Sequence, residues 1–399
     1  MSNYSAEIAI IGAGPSGAHL AARLAAAGRE VVLFDPKGAW EKPCGGGVPT
    51  RALREFAFIL ESTDYPRKLI YRVTLISAND RRVSVDVDQP FAIYSREVLN
   101  GLILDRAKRS GANFVRAAVT DFSEDGDGWI LSTTDGTKWR AKFLVGADGA
   151  ASPTRRKLIG IFPKQDLALA FGYNIKSDAK LDEKIKTEEV TIHFPEAFTG
   201  YLWAFPRPDG MNFGVASKLG ERTSDELRAL LAEFVRKYYG GRMPESERIS
   251  FFGAKIPTLD YTSWKDLQTS GDKWALIGDA AGFCDPITGE GIYYAFKSAD
   301  TLADAFAQQQ KQASVAFNGS ASLYEKRWRE FFGRELERAS QLLPRFYRGT
   351  FLGRPFPNAV IYLAAHHRGV REVLVNALIG EQSYVTLKHD LLSRAYQVF

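Results

Sequence analysis

Cysteine is scarce in this chain, which has two such residues, Cys44 and Cys284, in a length of 399. Two cysteines cannot build a disulfide framework, and this excludes the small disulfide-stabilised secreted scaffolds. No apolar run approaches the roughly 18 residues that a bilayer-spanning helix needs. The first residues, MSNYSAEIAIIGAG, lead into a strand without a basic leader or an apolar signal segment. We therefore expect a cytoplasmic protein, and we expect any membrane contact to be peripheral.

The overall composition is that of an ordinary globular chain. Hydrophobic residues make up 45% and charged residues 25%, which argues against disordered and fibrous classes. The length implies two or three packed units. Residues 320–399 hold 12 Lys or Arg against 7 Asp or Glu, whereas residues 1–319 hold 40 of each. A solvated helical surface or a face for an anionic membrane would explain this excess. Because no nucleic-acid-binding motif accompanies it, we predict no nucleic-acid partner.

The segment AEIAIIGAGPSGAHLAARLAAAGREVVLFDPK (6–37) predicts a buried strand, a glycine turn, a helix and a second strand. Gly12 permits a tight turn, Gly14 lets a pyrophosphate approach the helix N-terminus, and Gly17 lets helix and strand pack closely. Asp35 can accept hydrogen bonds from an adenosine ribose. A Gly-rich turn with a purely structural role is the alternative to dinucleotide binding. The predicted cradle comprises Gly12, Ala13, Gly14, Pro15, Ser16, Gly17, Asp35, Pro36 and Lys37.

Two later segments carry Asp-Gly and Gly-Asp pairs, AKFLVGADGAAS (141–152) and KWALIGDAAGFCDPITGEGIYYAF (273–296). They resemble motifs of the para-hydroxybenzoate hydroxylase-like FAD superfamily, and this resemblance implies FAD. It also implies that Asp279 binds the ribityl or ribose-phosphate region and that the PITGEG turn (286–291) lies beneath the flavin ring. Backbone N–H groups at such a helix start stabilise the negative charge of a reduced flavin. The further implied cofactor residues are Arg96, Val119, Asp148, Gly149, Gly278, Asp279, Pro286, Gly289, Gly291 and Ile292.

Arg96 has an alternative role in a salt bridge at a helix start. Only one GxGxxG is present, so we predict no separate NAD(P)H domain. Alternating stretches such as RVTLISAND and EEVTIHF predict a second, antiparallel sheet. The predicted fold is α/β, with a Rossmann-like FAD-binding domain, an antiparallel-sheet substrate domain and a C-terminal helical region. Their predicted bounds are 1–65, 96–160 and 270–315 for the first, 66–95 and 161–269 for the second, and 316–399 for the third.

In GYLWAFPRPDGMNFGVAS (200–217), Tyr201, Trp203 and Phe205 alternate and so share one face of a strand. This pattern predicts an apolar wall for a substrate, with ordinary core packing as the alternative. The last hundred residues show apolar positions at three- and four-residue spacing, which predicts helices that would roof a substrate tunnel. We interpret Trp328, Phe331 and Phe332 in these helices as core packing, with membrane contact as the alternative.

The loop KPCGGGVP (42–49) resembles the Pro-Cys-Gly-Gly-Gly loop of the geranylgeranyl reductase family, and YLWAFP (201–206) matches its YxWxFP motif. GDAAGFCDPITGEGIYYA and SYVTLKHDLL are similar to its flavin-contacting segment and its tail, whereas Ala216 replaces the second glycine of a GxG motif. Members reduce isolated carbon–carbon double bonds in polyprenyl chains of lipids, chlorophyll precursors or quinones. The resemblance implies this activity here, with an apolar prenyl-type substrate and an external electron donor, NAD(P)H or a ferredoxin-like protein.

An unactivated alkene cannot delocalise charge, so its reduction needs hydride from flavin N5 at one carbon and a proton at the other. Gly45 and Gly46 would let the chain approach the flavin edge and hold Cys44 where it donates or relays that proton. We therefore predict catalytic roles for Cys44, Tyr201 and Trp203, with Cys44, Gly45 and Gly46 also touching the cofactor. The alternative for Cys44 is a small buried hydrophobe, and we interpret Cys284 as packing. We predict no metal site.

Two other classes fit part of the pattern. A flavin-dependent monooxygenase or halogenase would share the fold, although the halogenase family carries WxWxIP where this chain has YLWAFP. A prenyl-handling binding protein related to the GDP dissociation inhibitors would share the fold without using FAD. The complete GxGxxG, DG and GD segments argue against this binding protein.

Overall fold

The computed structural model of the protein describes residues 3–178, 187–312, 317, 319–351 and 353–396. The strands of the first half are β1 Asn3–Ile11, β2 Val31–Phe34, β3 Gly47–Val48, β4 Lys68–Ile76, β5 Arg82–Ile93, β6 Asn113–Val115, β7 Val119–Asp125, β8 Gly128–Thr133, β9 Lys138–Gly146 and β10 Leu167–Lys176. The later strands are β11 Val190–His193, β12 Gly200–Arg207, β13 Gly210–Lys218, β14 Ile249–Pro257, β15 Ser270–Gly271, β16 Trp274–Leu276, β17 Thr350–Phe351 and β18 Arg354–Pro355.

The helices of the first part are α1 Pro15–Ala26, α2 Thr50–Glu55, α3 Phe58–Glu61, α4 Arg96–Arg109, α5 Pro153–Leu158 and α6 Ser224–Tyr238. The later helices are α7 Ile292–Gln312, α8 Ser320–Trp328, α9 Arg334–Arg348, α10 Phe356–His366, α11 Arg368–Leu378 and α12 Leu387–Tyr396. A π-helical turn, Arg329–Gly333, joins α8 to α9, and a 3₁₀ turn, Gly278–Ala280, follows β16.

The first sheet has the strand order β15-β16-β9-β1-β2-β6, and β7 and β8 form a hairpin beside β9. Strands β16, β9, β1, β2 and β6 run parallel, as expected for βαβ connections. The apolar strand segments Ile8–Ile10 and Val31–Phe34 are buried because elements cover both faces of the sheet. Helix α1 packs between α4 and α7 and so places its N-terminus at the carboxyl edge of the sheet.

Glycine is required at the turn between β1 and α1. Gly12 has a φ of +105°, and a Cβ there would lie 2.4 Å from the carbonyl oxygen of Ala147. A Cβ on Gly17 would lie 1.9 Å from the carbonyl oxygen of Gly12. Because no side chain fits these distances, the turn brings strand and helix together as the glycine pattern predicts.

The second sheet has the order β14-β10-β13-β12-β11-β4-β5-β3. Its pairs are antiparallel, as predicted, except that β11 runs parallel to β4. Helix α6 begins with a capping box formed by Thr223 and Glu226 and buries Leu227, Leu231 and Val235 against one face of this sheet. The short strand β3, which follows the Cys-Gly-Gly loop, pairs with the end of β5 and ties that loop to the second sheet.

The C-terminal region is helical, as predicted, apart from the hairpin of β17 and β18. Trp328 and Phe332 are 1% and 2% exposed and pack on Phe283, so the packing interpretation holds for both, whereas Phe331 is 55% exposed. Helices α10 and α11 pack on β5 and cover the second sheet. Within the described ranges, no helix combines the length and the apolar character that crossing a bilayer would need. The predicted α/β class is confirmed, and the exact domain bounds stay predictions.

Candidate active site

One cavity of about 1640 Å³ begins at the turn between β1 and α1, passes the second sheet and reaches the C-terminal helices. Every predicted cofactor and substrate residue lines it except Gly17, Gly278 and Pro286. Gly17 packs against the backbone of Gly12, and a Cβ on Gly278 would lie 2.7 Å from the Ser16 hydroxyl oxygen. Pro286 borders a separate void of about 30 Å³. These three residues therefore support the wall of the cavity from behind.

The nucleotide end of the cavity has open room in front of α1. Gly14 is the N-cap of this helix, makes no side-chain cap, and has nothing within 4 Å of the position of a Cβ. The first-turn N–H groups thus face space suited to a phosphate. Asp35 is held at the edge of this space, because its carboxylate accepts hydrogen bonds from the N–H groups of Ala13 (2.9 Å), Lys37 (2.8 Å) and Gly38 (2.9 Å).

Arg96 is a buried cation that lacks a full set of partners. It is 4% exposed, lines the cavity, and donates from Nη2 to Asn100 Oδ1 over 3.3 Å. Its Nε has no hydrogen-bond partner, although buried polar groups are normally paired. An orphaned guanidinium donor that lines the same cavity as the open N-terminus of α1 fits a cofactor rich in phosphate and hydroxyl groups. Among the described residues, Arg96 forms no salt bridge, so the alternative role is not seen.

Two predicted carboxylates differ in their surroundings. Asp148 accepts hydrogen bonds from the Ser152 hydroxyl and from the Thr154 N–H (2.9 Å), so it orders the start of α5, and burial raises its pKa. Asp279 lies at the turn after β16 and is 3.3 Å from Lys42 Nζ. Its carboxylate has no other hydrogen-bond donor among the described residues and remains available to a ligand hydroxyl.

The Cys-Gly-Gly loop lies against the aromatic strand β12, and this contact explains its glycines. A Cβ on Gly45 would lie 2.9 Å from the ring of Phe205 and 3.1 Å from Trp203 Nε1. A Cβ on Gly46, whose φ is +82°, would lie 1.9 Å from the carbonyl oxygen of Tyr94. The loop therefore needs residues without side chains to sit this close to the sheet.

Cys44 is partly buried, lines the cavity and is unpaired. Its carbonyl oxygen accepts hydrogen bonds from Arg207 Nη2 (3.1 Å) and Asn212 Nδ2 (3.3 Å). The N–H of Gly46 donates to its Sγ over 3.3 Å, an interaction that becomes stronger when the sulfur carries negative charge. The side chain of Cys44 is thus held in place at the cavity wall.

The three aromatic residues of β12 form a continuous wall of the cavity. The ring centroids of Tyr201 and Trp203 are 5.8 Å apart, and those of Trp203 and Phe205 are 6.2 Å apart. The Tyr201 hydroxyl donates to the carbonyl oxygen of Thr288 and so touches the turn that precedes α7. Ala216 lines the cavity in β13 as the strand partner of Tyr201.

Sequence reasoning missed Glu290, the central residue of the quoted GEG sequence. It lines the cavity, and its Oε1 accepts the N–H of Tyr293 over 2.8 Å. Burial, reinforced by the charges of Asp285 and Asp279, raises the pKa of Glu290 to about 8. Its place in the turn could be read from the sequence, but its burial depends on the whole cavity.

Asp285 joins this turn to the C-terminal region, another contact that the sequence did not indicate. Its carboxylate accepts hydrogen bonds from the Tyr384 hydroxyl (2.7 Å) and from the N–H of Ile287 (2.8 Å). The N–H of Tyr384 in turn donates to Glu335 on α9 (2.7 Å). Cys284, beside Asp285, is 1% exposed and burial raises the pKa of its thiol well above the usual range.

Comparison with known proteins identifies the domain and the relatives of this chain. A family profile described as an FAD binding domain matches residues 5–322. The chain is 28% identical over 346 residues to the geranylgeranyl diphosphate reductase of Synechocystis, covering 82% of this chain and 81% of that one. It is 30% identical over 319 residues to the menaquinone reductase of Mycobacterium tuberculosis, covering 75% and 76% of the two chains.

The fold is also that of a solved structure, a geranylgeranyl bacteriochlorophyll reductase-like protein from Thermoplasma acidophilum. The TM-score is 0.79 at 19% identity, with 98% of this chain and 100% of that chain covered. Profile, fold and cradle together define an FAD-dependent oxidoreductase. Within this class, the chain belongs to the geranylgeranyl reductase family, so the predicted family and cofactor are confirmed. The individual site residues stay predictions.

Replacing Asp279 with alanine is expected to weaken FAD binding by roughly ten- to a hundredfold, or about 1–3 kcal/mol, because cofactor hydroxyls would lose their acceptor. The ratio of flavin to protein after dialysis, with circular dichroism as a check on folding, measures this effect. Asp304→Ala is a matched control. Asp304 lies on the far part of α7, where it forms an exposed ion pair with Arg23 of α1. Equal flavin retention by the two variants would show that Asp279 does not hold the cofactor.

Proposed function

We propose that the protein is a reductase of isolated carbon–carbon double bonds in the polyprenyl chain of a lipid or quinone. The observation that carries this proposal is the extent of the cavity, which continues beyond its nucleotide end to the C-terminal helices. Its volume of about 1640 Å³ exceeds the roughly 300–1,000 Å³ typical of small-molecule sites. A dinucleotide would therefore leave room for a long second ligand.

The far part of the cavity has the chemical character that a prenyl chain needs. It is lined by Val73 and Leu75 of β4 and by Ile361, Leu374 and Leu378 of α10 and α11. Burial of an alkyl chain here would gain about 25 cal/mol for each Å² removed from water. The names of the two relatives, geranylgeranyl diphosphate reductase and menaquinone reductase, also support a prenyl-type substrate.

Reduced FAD supplies a hydride when it is bound. The chain's own residues then have two tasks, to position the alkene and to supply a proton. The aromatic wall of Tyr201, Trp203 and Phe205 would hold the chain in place, while the Cys44 thiol would donate or relay the proton to the second carbon. The Gly46 N–H on Cys44 Sγ would stabilise the thiolate left behind. Electrons would come from NAD(P)H or a ferredoxin-like protein.

An absorbance spectrum of the purified protein, followed by mass spectrometry of products from a panel of polyprenyl substrates, tests the proposal. With a reduced donor and without oxygen, each reduced double bond should add the mass of two hydrogen atoms. The rival activities, monooxygenation and halogenation, require oxygen. Product oxidation that depends on oxygen, with no alkene reduction under anaerobic conditions, would replace this proposal with the rival.

We also propose that the cavity opens towards a membrane surface. Phe351 and Leu392 line the cavity and are 45% and 51% exposed, so they lie at its mouth. Arg345 and Lys388 line it there as well, in the part of the chain that carries the excess positive charge. Exposed apolar side chains beside cations suit the surface of an anionic bilayer.

A Phe351→Ser and Leu392→Ser double variant is expected to cosediment several-fold less with anionic lipid vesicles than the unchanged protein. The physical reason is the loss of two apolar side chains that would enter the bilayer interface. Ile161→Ser is the matched control, because Ile161 is 72% exposed and does not line the cavity. Binding that is equal for all three proteins, or absent from vesicles altogether, would contradict a membrane-facing mouth.

A further inference from the structure

Glu290 is a carboxyl group inside the cavity for which the proposed function has no role. It lies two residues before α7, its Oε1 accepts the N–H of Tyr293 in the first turn of that helix over 2.8 Å, and it lines the cavity. The preceding residue, Gly289, is close to the aromatic wall, since a Cβ there would lie 3.3 Å from the Tyr201 hydroxyl. Glu290 is therefore next to the residues proposed to handle the substrate.

Cys44 and Glu290 face the same small region. Both line the same cavity. On one side, a Cβ on Gly45 would lie 3.1 Å from Trp203 Nε1, and the ring centroids of Trp203 and Tyr201 are 5.8 Å apart. A position on Gly291 equivalent to a Cβ would lie 3.7 Å from Cys284 Sγ. The Cys-Gly-Gly loop and the turn before α7 thus lie along the same aromatic wall, the loop beside Trp203 and the turn beside Tyr201.

Few groups in this region can release a proton near neutral pH. Burial raises the pKa of Tyr201 and that of Cys284, so each holds its proton tightly. Burial raises the pKa of Asp285 too, but both of its oxygens accept hydrogen bonds, from the Tyr384 hydroxyl and from backbone N–H groups, so it is tied to these donors. Glu290 has a pKa raised to about 8, so it is protonated at neutral pH and yields its proton readily.

We propose that Glu290 is the proton source of the cavity and that it restores the proton which Cys44 gives to the alkene. This inference rests on the proposed reduction. One alkene carbon receives the hydride, and the other forms a C–H bond as the S–H bond of Cys44 breaks. The thiolate then takes the proton from the Glu290 carboxyl group, whose O–H bond breaks. The Glu290 carboxylate regains a proton from water, and NAD(P)H or a ferredoxin-like protein supplies both electrons.

The pH dependence of this step reflects all ionisable groups around Glu290. Carboxylates at Asp279 and Asp285 favour its neutral form, and Lys42 partly offsets the charge of Asp279 at 3.3 Å. The other ionisable neighbours are Tyr201, Cys284, Tyr293 and Tyr294. Arg51 lies over the Tyr293 ring at 4.2 Å, Tyr384 donates to Asp285, and Cys44 lines the same cavity.

The decisive variant is Glu290→Gln, because glutamine keeps an oxygen acceptor for the Tyr293 N–H but has no transferable proton. FAD of the holoenzyme is reduced anaerobically with dithionite and mixed with a polyprenyl substrate, and turnover is followed by mass spectrometry. The unchanged protein should lose rate as the pH rises through about 8. Glu290→Gln should be slower by about 10²-fold at neutral pH and should lack this titration, whereas Glu290→Asp should recover part of both.

A second readout does not depend on turnover. Infrared difference spectra of the oxidised holoenzyme should show a protonated carboxyl group that disappears as the pH rises through about 8 and that is missing in Glu290→Gln. Glu330→Gln, on an exposed turn, is the control that should change neither readout.

Three results would overturn the inference: a normal rate and titration in Glu290→Gln, the absence of the carboxyl signal, or equal effects of Glu330→Gln. If the unchanged protein reduces no prenyl alkene, the proposed function fails first and this inference falls with it. That outcome is distinct from an active enzyme that does not need Glu290.

Discussion

Replacement of Cys44 by serine is expected to slow alkene reduction by about 10²–10⁴-fold, the usual contribution of general acid catalysis. Serine is nearly the same size as cysteine, but its hydroxyl is a far weaker acid than a thiol. The loop should keep its position, because the Arg207 and Asn212 hydrogen bonds go to the Cys44 carbonyl oxygen and not to its side chain. The change therefore tests the proton and not the packing.

FAD content and the rate of flavin reduction by dithionite are the internal controls for this variant, and both should match the unchanged protein. Cys44→Ala removes the proton and the sulfur together and should be at least as slow as Cys44→Ser. Wild-type rates in both variants, with every polyprenyl substrate tested, would show that Cys44 only fills space. The proton would then have to come from bound water or from another group at the cavity.

The part of the fold that depends on local sequence could be predicted. The turn at Gly12, the helix that follows and the strand ending in Asp35 are encoded within one short segment, because turn geometry and apolar periodicity act over a few residues. The shared face of Tyr201, Trp203 and Phe205 likewise follows from the period of two in a strand. These features needed no knowledge of distant contacts.

Contacts between remote segments were out of reach of the same reasoning. Tyr384 meets Asp285 over a separation of 99 residues, and Arg207 meets the Cys44 carbonyl over 163. The raised pKa of Glu290 depends on burial, which exists only after both sheets and the C-terminal helices have packed. The sequence could therefore predict a cofactor cradle from local motifs, but it could not show that burial raises the pKa of the Glu290 carboxyl group.

The sequence left open whether Trp203 forms a substrate wall or packs in the core, and the structure gives its ring both positions. The side chain lines the cavity, yet it is 5% exposed and belongs to a buried cluster with Ala170 and Ala216. A Cβ on Gly214 would lie 1.9 Å from its ring, so the neighbouring strand is shaped to hold it. Its Nε1 donates to Asn212 Oδ1 over 2.7 Å.

Trp203→Ala is accordingly expected to lower the free energy of unfolding by roughly 3–5 kcal/mol, the usual effect of removing a large buried ring. The preference of the enzyme for polyprenyl substrates of a given chain length should change as well, because the aromatic wall would open beside the substrate. Asn212 is 0% exposed, and its Oδ1 would lose the Trp203 Nε1 donor. Because its Nδ2 donates to the Cys44 carbonyl oxygen, a less firmly held Asn212 should loosen the Cys-Gly-Gly loop. Denaturant unfolding and product analysis of the same preparation measure both effects.

Trp203→Phe separates the two contributions of this side chain. It keeps most of the apolar wall but removes the Nε1 donor, so the expected loss is about 1–3 kcal/mol, the desolvation penalty of an unpaired Asn212 oxygen. FAD content should persist in both variants, because Trp203 is not part of the turn between β1 and α1 that forms the nucleotide cradle. Unchanged stability in Trp203→Ala would contradict the buried role, and an unchanged product spectrum would contradict the role in the substrate wall.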